Sequence, residues 1–361
     1  MRYEFNKLRA EERIAAELSC LYTVRGYKEY KMSAFEEYSM YMDNKDFLIS
    51  QNIITFSGMD GRLMALRPDV TLSVVKNTKA DFGHTEKLFY NEKVYRLERG
   101  SKTFKEVSQI GVEVLGDVDK ATEAEVVLLI LKTLSAVGER SVLDLSHMGY
   151  VNALLESFSV GEEEKRALFA CLKEKNAHDF EKYAEEIGLK EADKTIFKEI
   201  MRLGGDPQKV LEKAEKLCIN EEMRSSAAEL RSLVEVLGSL GYSENINIDF
   251  SVANAADYYN GLVFSGYVEG VPKAVLSGGR YDKLARKFGK KAGAIGFALY
   301  LGELCAYLKE NIEKTDVLLV YGDGAEVKAL RRAEELQRAG KSVKLVKNAE
   351  GEDFKEAEYV K

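Results

Sequence analysis

Apolar runs, and in one segment a regular alternation of apolar and polar residues, predict strands along much of this chain. Residues 88–97 and 107–115 are two strand candidates joined by a polar loop, and shorter apolar runs flank Gly58-Met59-Asp60-Gly61. Glycine and aspartate in that position favour a hairpin turn. Residues 245–252 alternate most regularly, which predicts a half-buried strand whose apolar face is Ile246, Ile248, Phe250 and Val252. Further extended segments are predicted over residues 27–41, 142–145, 262–268 and 274–276.

Helical periodicity predicts most of the segments between these strands. Residues 5–26 form an amphipathic pattern, and a longer apolar stripe follows Asp119 as far as residue 137. Residues 150–240 are dense in Ala, Leu, Glu and Lys with few β-branched runs, which predicts a helical region with a solvated charged face. Further helices are predicted over residues 72–77, 280–288 and 294–311.

The order of these elements predicts an α+β fold, an antiparallel sheet with flanking helices that is interrupted by a helical insertion. The core domain would comprise residues 1–149 and 244–315, and the insertion residues 150–243. The tail, residues 316–361, is predicted as a small C-terminal β-α-β fragment. A piece of that size buries too little apolar surface to be stable alone, so it must pack on the main domain or on a partner.

Composition narrows the function classes. The net charge of -7 and the pI of about 5.4 argue against a protein whose main function is to bind the phosphate backbone of nucleic acids. The histidines and the cysteines are scattered without metal-ligand spacing, so no metal site and no disulfide framework is expected. The N-terminus is charged and the longest apolar run is far too short for a bilayer. We therefore expect a cytoplasmic protein that binds neither membrane nor nucleic acid.

Four motifs carry the chemistry in a fixed order. They are Leu66–Thr71 (LRPDVT), the strand-loop-strand segment 87–116, Asp257–Phe264 (DYYNGLVF), and Gly278–Leu284 (GGRYDKL) followed by Gly293–Leu299 (GAIGFAL). Their order and spacing resemble the histidyl-tRNA synthetase family over about residues 5–315. The resemblance implies a class II aminoacyl-tRNA synthetase fold, a mainly antiparallel sheet that binds histidine and ATP in a dimer.

The resemblance also implies roles for single residues. Arg96 corresponds to the strand arginine that holds the α-phosphate, and Asp69 and Thr71 correspond to the pair near the α-amino group of the amino acid. The family usually has glutamate where Asp69 stands. The rest of the implied histidine pocket is formed by Gln109, Glu113, Tyr258, Tyr259 and Tyr281.

Simpler interpretations of the same residues remain open from the sequence. Arg96 and Glu98 could form a cross-strand ion pair, the two tyrosines of DYYN could be core aromatics, and Gly278-Gly279 could be a turn. Glu113 is more informative, because a carboxylate on an otherwise apolar strand is costly to bury unless it is paired. An imidazole N–H would be a suitable partner.

Departures from the family pattern bear on catalysis. Asn254 and Glu303 stand where active members carry arginines. The loop after Glu98 is one residue shorter than expected and its usual arginine is replaced around Thr103, and Ser33 stands where the dimer-interface strand usually has a proline. Adenylate formation needs positioned cations to stabilise the developing phosphate charge, and a catalytic arginine is worth on the order of 10³-fold or more. The tail is also too small to read an anticodon. We therefore expect no synthetase activity and assign no catalytic residue and no cofactor.

Among relatives of the synthetase, one group fits these losses. These are regulatory subunits that partner a short-form ATP phosphoribosyltransferase in the first step of histidine biosynthesis. The resemblance implies a non-catalytic dimer within a hetero-oligomer, with histidine as its feedback ligand. A divergent histidine-activating synthetase, or a synthetase-like histidine-binding module with another partner, remains the alternative.

Overall fold

The computed structural model describes residues 8–44, 48, 53–97, 103–252, 259–308, 315–350 and 354–361. The chain divides into two compact units, a larger one formed by residues 17–307 and a smaller one formed by residues 1–16 and 308–361. The sequence did not predict that the N-terminal residues group with the tail. The predicted domain boundaries at 149/150, 243/244 and 315/316 stay predictions.

A nine-stranded sheet forms the centre of the larger unit, in the order β1-β5-β6-β12-β11-β10-β7-β9-β8. Its strands are β1 (Lys28–Glu29), β5 (Glu86–Leu97), β6 (Phe104–Gly116), β7 (Ser141–His147), β8 (Gly204–Gly205), β9 (Ile246–Asp249), β10 (Leu262–Val268), β11 (Leu276–Arg280) and β12 (Gly293–Tyr300). Every pairing is antiparallel except β1 with β5 and β7 with β9. The predicted antiparallel sheet of an α+β fold is confirmed.

Strand β12 corrects the prediction of a helix over residues 294–311. The structure has a strand as far as Tyr300 and a short helix only over Leu301–Cys305. Strand β12 lies between β6 and β11, and most of its residues are buried. A strand buried on both faces is apolar throughout, so its periodicity does not distinguish it from a buried helix.

The glycine pair Gly278-Gly279 also differs from the simple interpretation of a turn, because both residues lie inside β11. A Cβ on Gly278 would overlap the carbonyl oxygen of Gly296, and one on Gly279 would lie 2.6 Å from the ring of Tyr259. Glycine is therefore required here by close packing rather than by chain reversal.

A second sheet in the larger unit contains β2 (Phe35–Glu37), β3 (Thr55–Ser57) and β4 (Leu63–Leu66) in the order β2-β4-β3. Strands β3 and β4 are antiparallel, and their connection contains Gly61 at φ +79°. That left-handed conformation is easily adopted by glycine, so the hairpin predicted from Gly58-Met59-Asp60-Gly61 is confirmed.

The helices of the larger unit pack against the main sheet or against one another. They are α1 (Ala10–Val24, which begins in the smaller unit), α2 (Tyr38–Met42), α3 (Thr71–Asn77), α4 (Lys120–Val137), α5 (Met148–Ser157), α6 (Glu162–Glu174), α7 (Ala177–Glu186), α8 (Glu191–Met201), α9 (Pro207–Lys216), α10 (Glu221–Ser239), α11 (Asp282–Lys287) and α12 (Leu301–Cys305). The Asp119 carboxylate caps α4 by accepting from the Thr122 amide at 2.8 Å. Helices α5 to α10 confirm the predicted helical region, which also contains the two-residue strand β8.

The smaller unit has a parallel sheet in the order β14-β13-β15. Its elements are β13 (Thr315–Tyr321), α13 (Glu326–Arg338), β14 (Val343–Val346) and β15 (Phe354–Val360). The predicted β-α-β fragment is present, and β15 adds a strand that the sequence did not predict. No helix among the described residues is long and apolar enough to cross a membrane.

Candidate functional site

Glu113 is the centre of the candidate site. It lies on β6 opposite Gly296 of β12 and is only 2% exposed. Its Oε1 accepts a hydrogen bond from the Thr71 hydroxyl at 2.7 Å, and its Oε2 accepts one from the Tyr281 hydroxyl. A Cβ at residue 296 would overlap Oε2, so glycine on the neighbouring strand provides the space for the carboxyl group. The costly buried carboxylate noted in the sequence is therefore paired with two hydroxyl groups.

Burial also controls the proton on Glu113. Loss of solvent raises the pKa of this carboxyl group to about 8, although the Tyr281 and Thr71 hydroxyls act in the opposite direction. The nearby charge of Asp69 raises the pKa further. The carboxyl group therefore largely holds a proton at neutral pH. A ligand that donates an N–H or carries positive charge would favour the ionised form.

Asp69 and Arg96 form a second pair at the start of α3. Oδ1 of Asp69 accepts from the Leu72 amide at 3.0 Å, and Oδ2 lies 3.6 Å from Nη2 of Arg96. Nε of Arg96 donates to the Pro68 carbonyl at 2.7 Å, which fixes the guanidinium beside the carboxylate. Burial raises the pKa of Asp69 and the Arg96 charge opposes that rise. The pair is largely buried, so a carboxylate and a guanidinium lie side by side in a mostly enclosed environment.

Tyr90 and Tyr259 lie near the charged groups of Asp69, Arg96 and Glu113. Burial raises the pKa of Tyr259 and of Tyr90, and the charges of Asp69, Arg96 and Glu113 act on both hydroxyls. Tyr90 extends from β5 over Gly111, where a Cβ would lie 2.5 Å from its ring. Tyr90 was not among the residues predicted from the sequence, although it lies in the segment 87–116. It could have been recognised because a large aromatic residue stands opposite a glycine, Gly111, on the adjacent strand.

Gln109 lies on β6 four residues before Glu113, so both side chains leave the same face of the strand. It is 2% exposed, so its side-chain amide is enclosed by the protein. An amide in this position can offer both a donor and an acceptor to a ligand. Of the predicted pocket residues, Tyr258 lies outside the described residues, as does Glu98 of the alternative ion pair.

One of the two predicted arginine losses has a visible consequence. Glu303, on α12, forms an ion pair with Lys273 from the segment between β10 and β11. The resemblance implies an arginine at this position, and the carboxylate found there is paired with a nearby lysine. Asn254, the other predicted loss, lies outside the described residues. Among the described residues, no group of three or more His, Cys, Asp or Glu side chains could hold a metal ion.

A cavity of about 850 Å³ lies elsewhere, and the sequence did not predict it. Its walls come from α4, α5, α10 and the strand ends near His147 and Arg280, and they do not include Glu113 or Asp69. Nδ1 of His147 accepts from the Gly149 amide at 3.1 Å, so its Nε2 carries the proton that faces Glu229 at 3.1 Å. The buried charges and hydroxyls converge at Glu113 and not in this cavity, so Glu113 and its neighbours remain the candidate site.

Comparison with known proteins agrees with this geometry. A family model described as histidyl-tRNA synthetase matches residues 4–304, which contain the sheet and every residue of the pocket. The chain belongs to the histidyl-tRNA synthetase family. The class II fold inferred from the four motifs is thereby confirmed.

Relatives that match nearly the whole chain are named ATP phosphoribosyltransferase regulatory subunits. The chain is 28% identical to an ATP phosphoribosyltransferase regulatory subunit from Acetivibrio thermocellus, over 98% of this chain and 85% of the relative. It also resembles the crystal structure of an ATP phosphoribosyltransferase regulatory subunit/histidyl-tRNA synthetase from Bacillus halodurans, with a TM-score of 0.85 and 26% identity over 97% and 93% of the two chains. A chain of an ATP phosphoribosyltransferase (HisG:HisZ) complex from Thermotoga maritima shares the fold, with a TM-score of 0.64 and 18% identity over 81% and 97%.

Proposed function

We propose that this chain is the regulatory subunit of an ATP phosphoribosyltransferase, and that a short-form catalytic subunit requires it in the first step of histidine biosynthesis. Relatives with that name match nearly the whole chain. The observation that carries the proposal is the contrast within the site. The groups suited to an amino acid remain around Glu113, whereas Glu303 pairs with Lys273 where the family has a cation.

The lost cation matters for the chemistry. In adenylate formation, negative charge moves from the α-phosphate to the departing pyrophosphate, and positioned cations supply most of the stabilisation. A carboxylate in this position repels that charge, and its ion pair engages the Lys273 ammonium. We therefore assign this chain no catalytic step and place it in the cytoplasm with its catalytic partner.

Histidine is the proposed ligand of the pocket. Asp69 is suited to the α-ammonium and Arg96 to the α-carboxylate, because these opposite charges lie side by side, with Oδ2 and Nη2 3.6 Å apart. The imidazole would meet Glu113 and Tyr259, because each carboxylate oxygen has a second lone pair beyond the one used by Thr71 or Tyr281. Gln109 is placed to add neutral hydrogen bonds. Amino acids without an imidazole N–H would leave these buried groups unpaired.

Calorimetric titration of histidine into the complex with the catalytic subunit tests this assignment. We expect binding to wild type, and about 30- to 150-fold weaker binding to Glu113→Ala, because truncation of a buried charged hydrogen-bond partner costs on the order of 2–3 kcal/mol. The exposed Glu269→Ala is a matched control and should bind as wild type. Unchanged affinity in Glu113→Ala would locate the regulatory site elsewhere.

Activation of the partner is a separate test of the regulatory role. ATP phosphoribosyltransferase activity should rise when this chain is added to the catalytic subunit, and histidine should lower it if it favours one assembly state. A catalytic subunit that is fully active alone and indifferent to this chain would refute the proposal.

A dimer of this chain is also proposed, through the β2-β4-β3 sheet. Phe35 and Phe56 are exposed on the same face of this sheet, with ring centroids 5.4 Å apart. Clustered exposed apolar side chains mark interaction surfaces. Sedimentation of Phe35→Asp should show a shift to monomer, whereas the surface variant Val236→Asp on α10 should sediment as wild type.

A further inference from the structure

Four polar side chains form a cluster in the wall of the cavity of about 850 Å³, and three of them are neighbours in sequence of the two pocket tyrosines. We call it the Arg280 cluster, and it contains Glu123, Asn260, Arg280 and Asp282. Nε of Arg280 donates to Oδ2 of Asp282 at 2.9 Å, and its Nη1 donates to Oε1 of Glu123 at 2.8 Å. Nδ2 of Asn260 donates to Oδ2 of Asp282 at 3.1 Å. One guanidinium therefore links helix α4, through Glu123, to the end of β11.

The cluster is bound to the backbone that carries both pocket tyrosines. Tyr281 lies between Arg280 and Asp282 in sequence, and Tyr259 directly precedes Asn260. The Asn260 amide donates to the Arg280 carbonyl at 3.0 Å. Successive residues of an extended chain point to opposite sides, so Arg280 reaches α4 while the Tyr281 hydroxyl reaches Glu113.

The second carboxylate oxygen of Asp282, Oδ1, holds the backbone around Tyr281 against β12. Oδ1 accepts from the Ala294 amide at 2.9 Å, and the Tyr281 amide donates to the Ala294 carbonyl at 2.7 Å. Tyr281 is thus held on both flanks, by Asp282 against β12 and by Arg280 against α4. Its hydroxyl has little freedom to leave Glu113 while these bonds persist.

We propose that Arg280 is a positioning residue for histidine recognition, which clamps Asp282 and Glu123 and thereby holds the Tyr281 hydroxyl on the Glu113 carboxylate. This inference rests on the function proposed above, since it concerns the same pocket. Arg280 acts through Tyr281 and does not contact the ligand. Lysine keeps the charge at this position, but its single ammonium lacks the planar fork that spans two carboxylates.

A double-mutant cycle on the full-length chain tests the proposal by histidine calorimetry. Arg280→Lys and Tyr281→Phe should each weaken binding about tenfold, the cost of one hydrogen bond to a charged group. Because both changes remove the same hydroxyl contact, the double variant should also be about tenfold weaker, instead of showing the roughly hundredfold product. Arg140→Lys, an exposed arginine paired with Glu269, is the matched control and should bind as wild type.

The pH profile of binding separates a positioning role from a merely structural one. The Tyr281 hydroxyl lowers the pKa of Glu113, so its withdrawal should raise the pH at which histidine affinity changes. Arg280→Lys should move that midpoint upward, in the same direction as Tyr281→Phe, whereas a purely structural defect would leave the midpoint in place. The other groups that act on or face this carboxyl group do not change between the variants, and they are Asp69, Thr71, Tyr90 and Tyr259.

The outcomes distinguish this inference from the proposed function. No histidine binding to wild type would overturn the proposed function and, with it, the inference. Binding to wild type with unchanged affinity in Arg280→Lys, or a fully additive double variant, would overturn the inference alone. If Arg280→Lys does not fold, Glu123→Gln carries the same test, because it keeps the side-chain length and weakens only the α4 arm of the clamp. If the pH midpoint of histidine binding is higher in Glu123→Gln than in wild type, the proposal is supported. If that midpoint is unchanged, the proposal is overturned.

Discussion

The buried carboxyl group of Glu113 should make this protein less stable at alkaline pH. Its pKa is 4.5 in an unfolded chain and about 8 in the folded one. Below 4.5 both states hold the proton and stability is at its full value. Between these values the folded chain holds a proton that the unfolded chain has released, so the free energy of unfolding falls as pH rises. The loss is complete once pH exceeds the folded value.

The magnitude follows from the size of that shift. A difference of 8 minus 4.5 is about 3.5 pH units, and at 1.36 kcal/mol per unit it corresponds to an upper bound of about 5 kcal/mol. Glutamine resembles the protonated acid, and it can exchange hydrogen bonds with the Thr71 and Tyr281 hydroxyls because hydroxyls both donate and accept. The stability of Glu113→Gln relative to wild type should therefore be lowest at pH 5 and rise steadily to pH 9, where the variant is the more stable protein.

Denaturant unfolding of both proteins from pH 5 to pH 9 measures the effect. Other titrating groups cancel in the difference between the two free energies, so only the residue 113 contribution remains. The same substitution at exposed Glu269 is the control and should give a flat difference, because solvent stabilises that charge in both states. A difference for Glu113→Gln that stays flat across this range would refute the reasoning, as it would mean that water or a neighbour stabilises the folded anion.

Three further predictions concern other parts of the molecule. Purified protein given ATP, histidine and pyrophosphate should show no exchange above background, and robust exchange would contradict the role assigned to Glu303. Gly296→Ala should abolish measurable histidine binding by calorimetry and destabilise the fold by about 1–3 kcal/mol, because its Cβ would overlap the Glu113 carboxylate. Arg67→Ala should lower the free energy of unfolding by about 3–5 kcal/mol, because it leaves the largely buried Glu92 carboxylate without the guanidinium that now lies 2.6 Å away. A decrease below about 1 kcal/mol in denaturant unfolding would contradict that account.

Local pattern was sufficient for much of the fold. Period-two alternation located β9, segments rich in apolar residues located β5 and β6, and glycine and aspartate located the hairpin between β3 and β4. The motif order predicted the family, which is confirmed, and the histidine pocket, which stays a prediction. The place of Glu113 on an apolar strand predicted that it needs a polar partner. These features depend on short stretches of chain, where the residues themselves carry the signal.

The partners of those residues were decided by the tertiary structure. The sequence showed that Glu113 is a carboxylate on an apolar strand, but only the sheet order brings Thr71, Tyr281 and Gly296 to it from three distant segments. The same holds for Arg96, which pairs with Asp69, and for Glu303, which pairs with Lys273.

The prediction of a helix over residues 294–311 was wrong, and the role of Gly278 was not recognised, for the same reason. Strand β12 is buried on both faces, so no polar alternation marks it as a strand. Gly278 is required because the β12 backbone approaches it closely, a constraint that is absent until the two strands pair. The sequence alone therefore determined the elements with one solvated face and the family motifs. Burial by distant strands decided the rest, because it removes the polar signal and adds contacts that no local pattern contains.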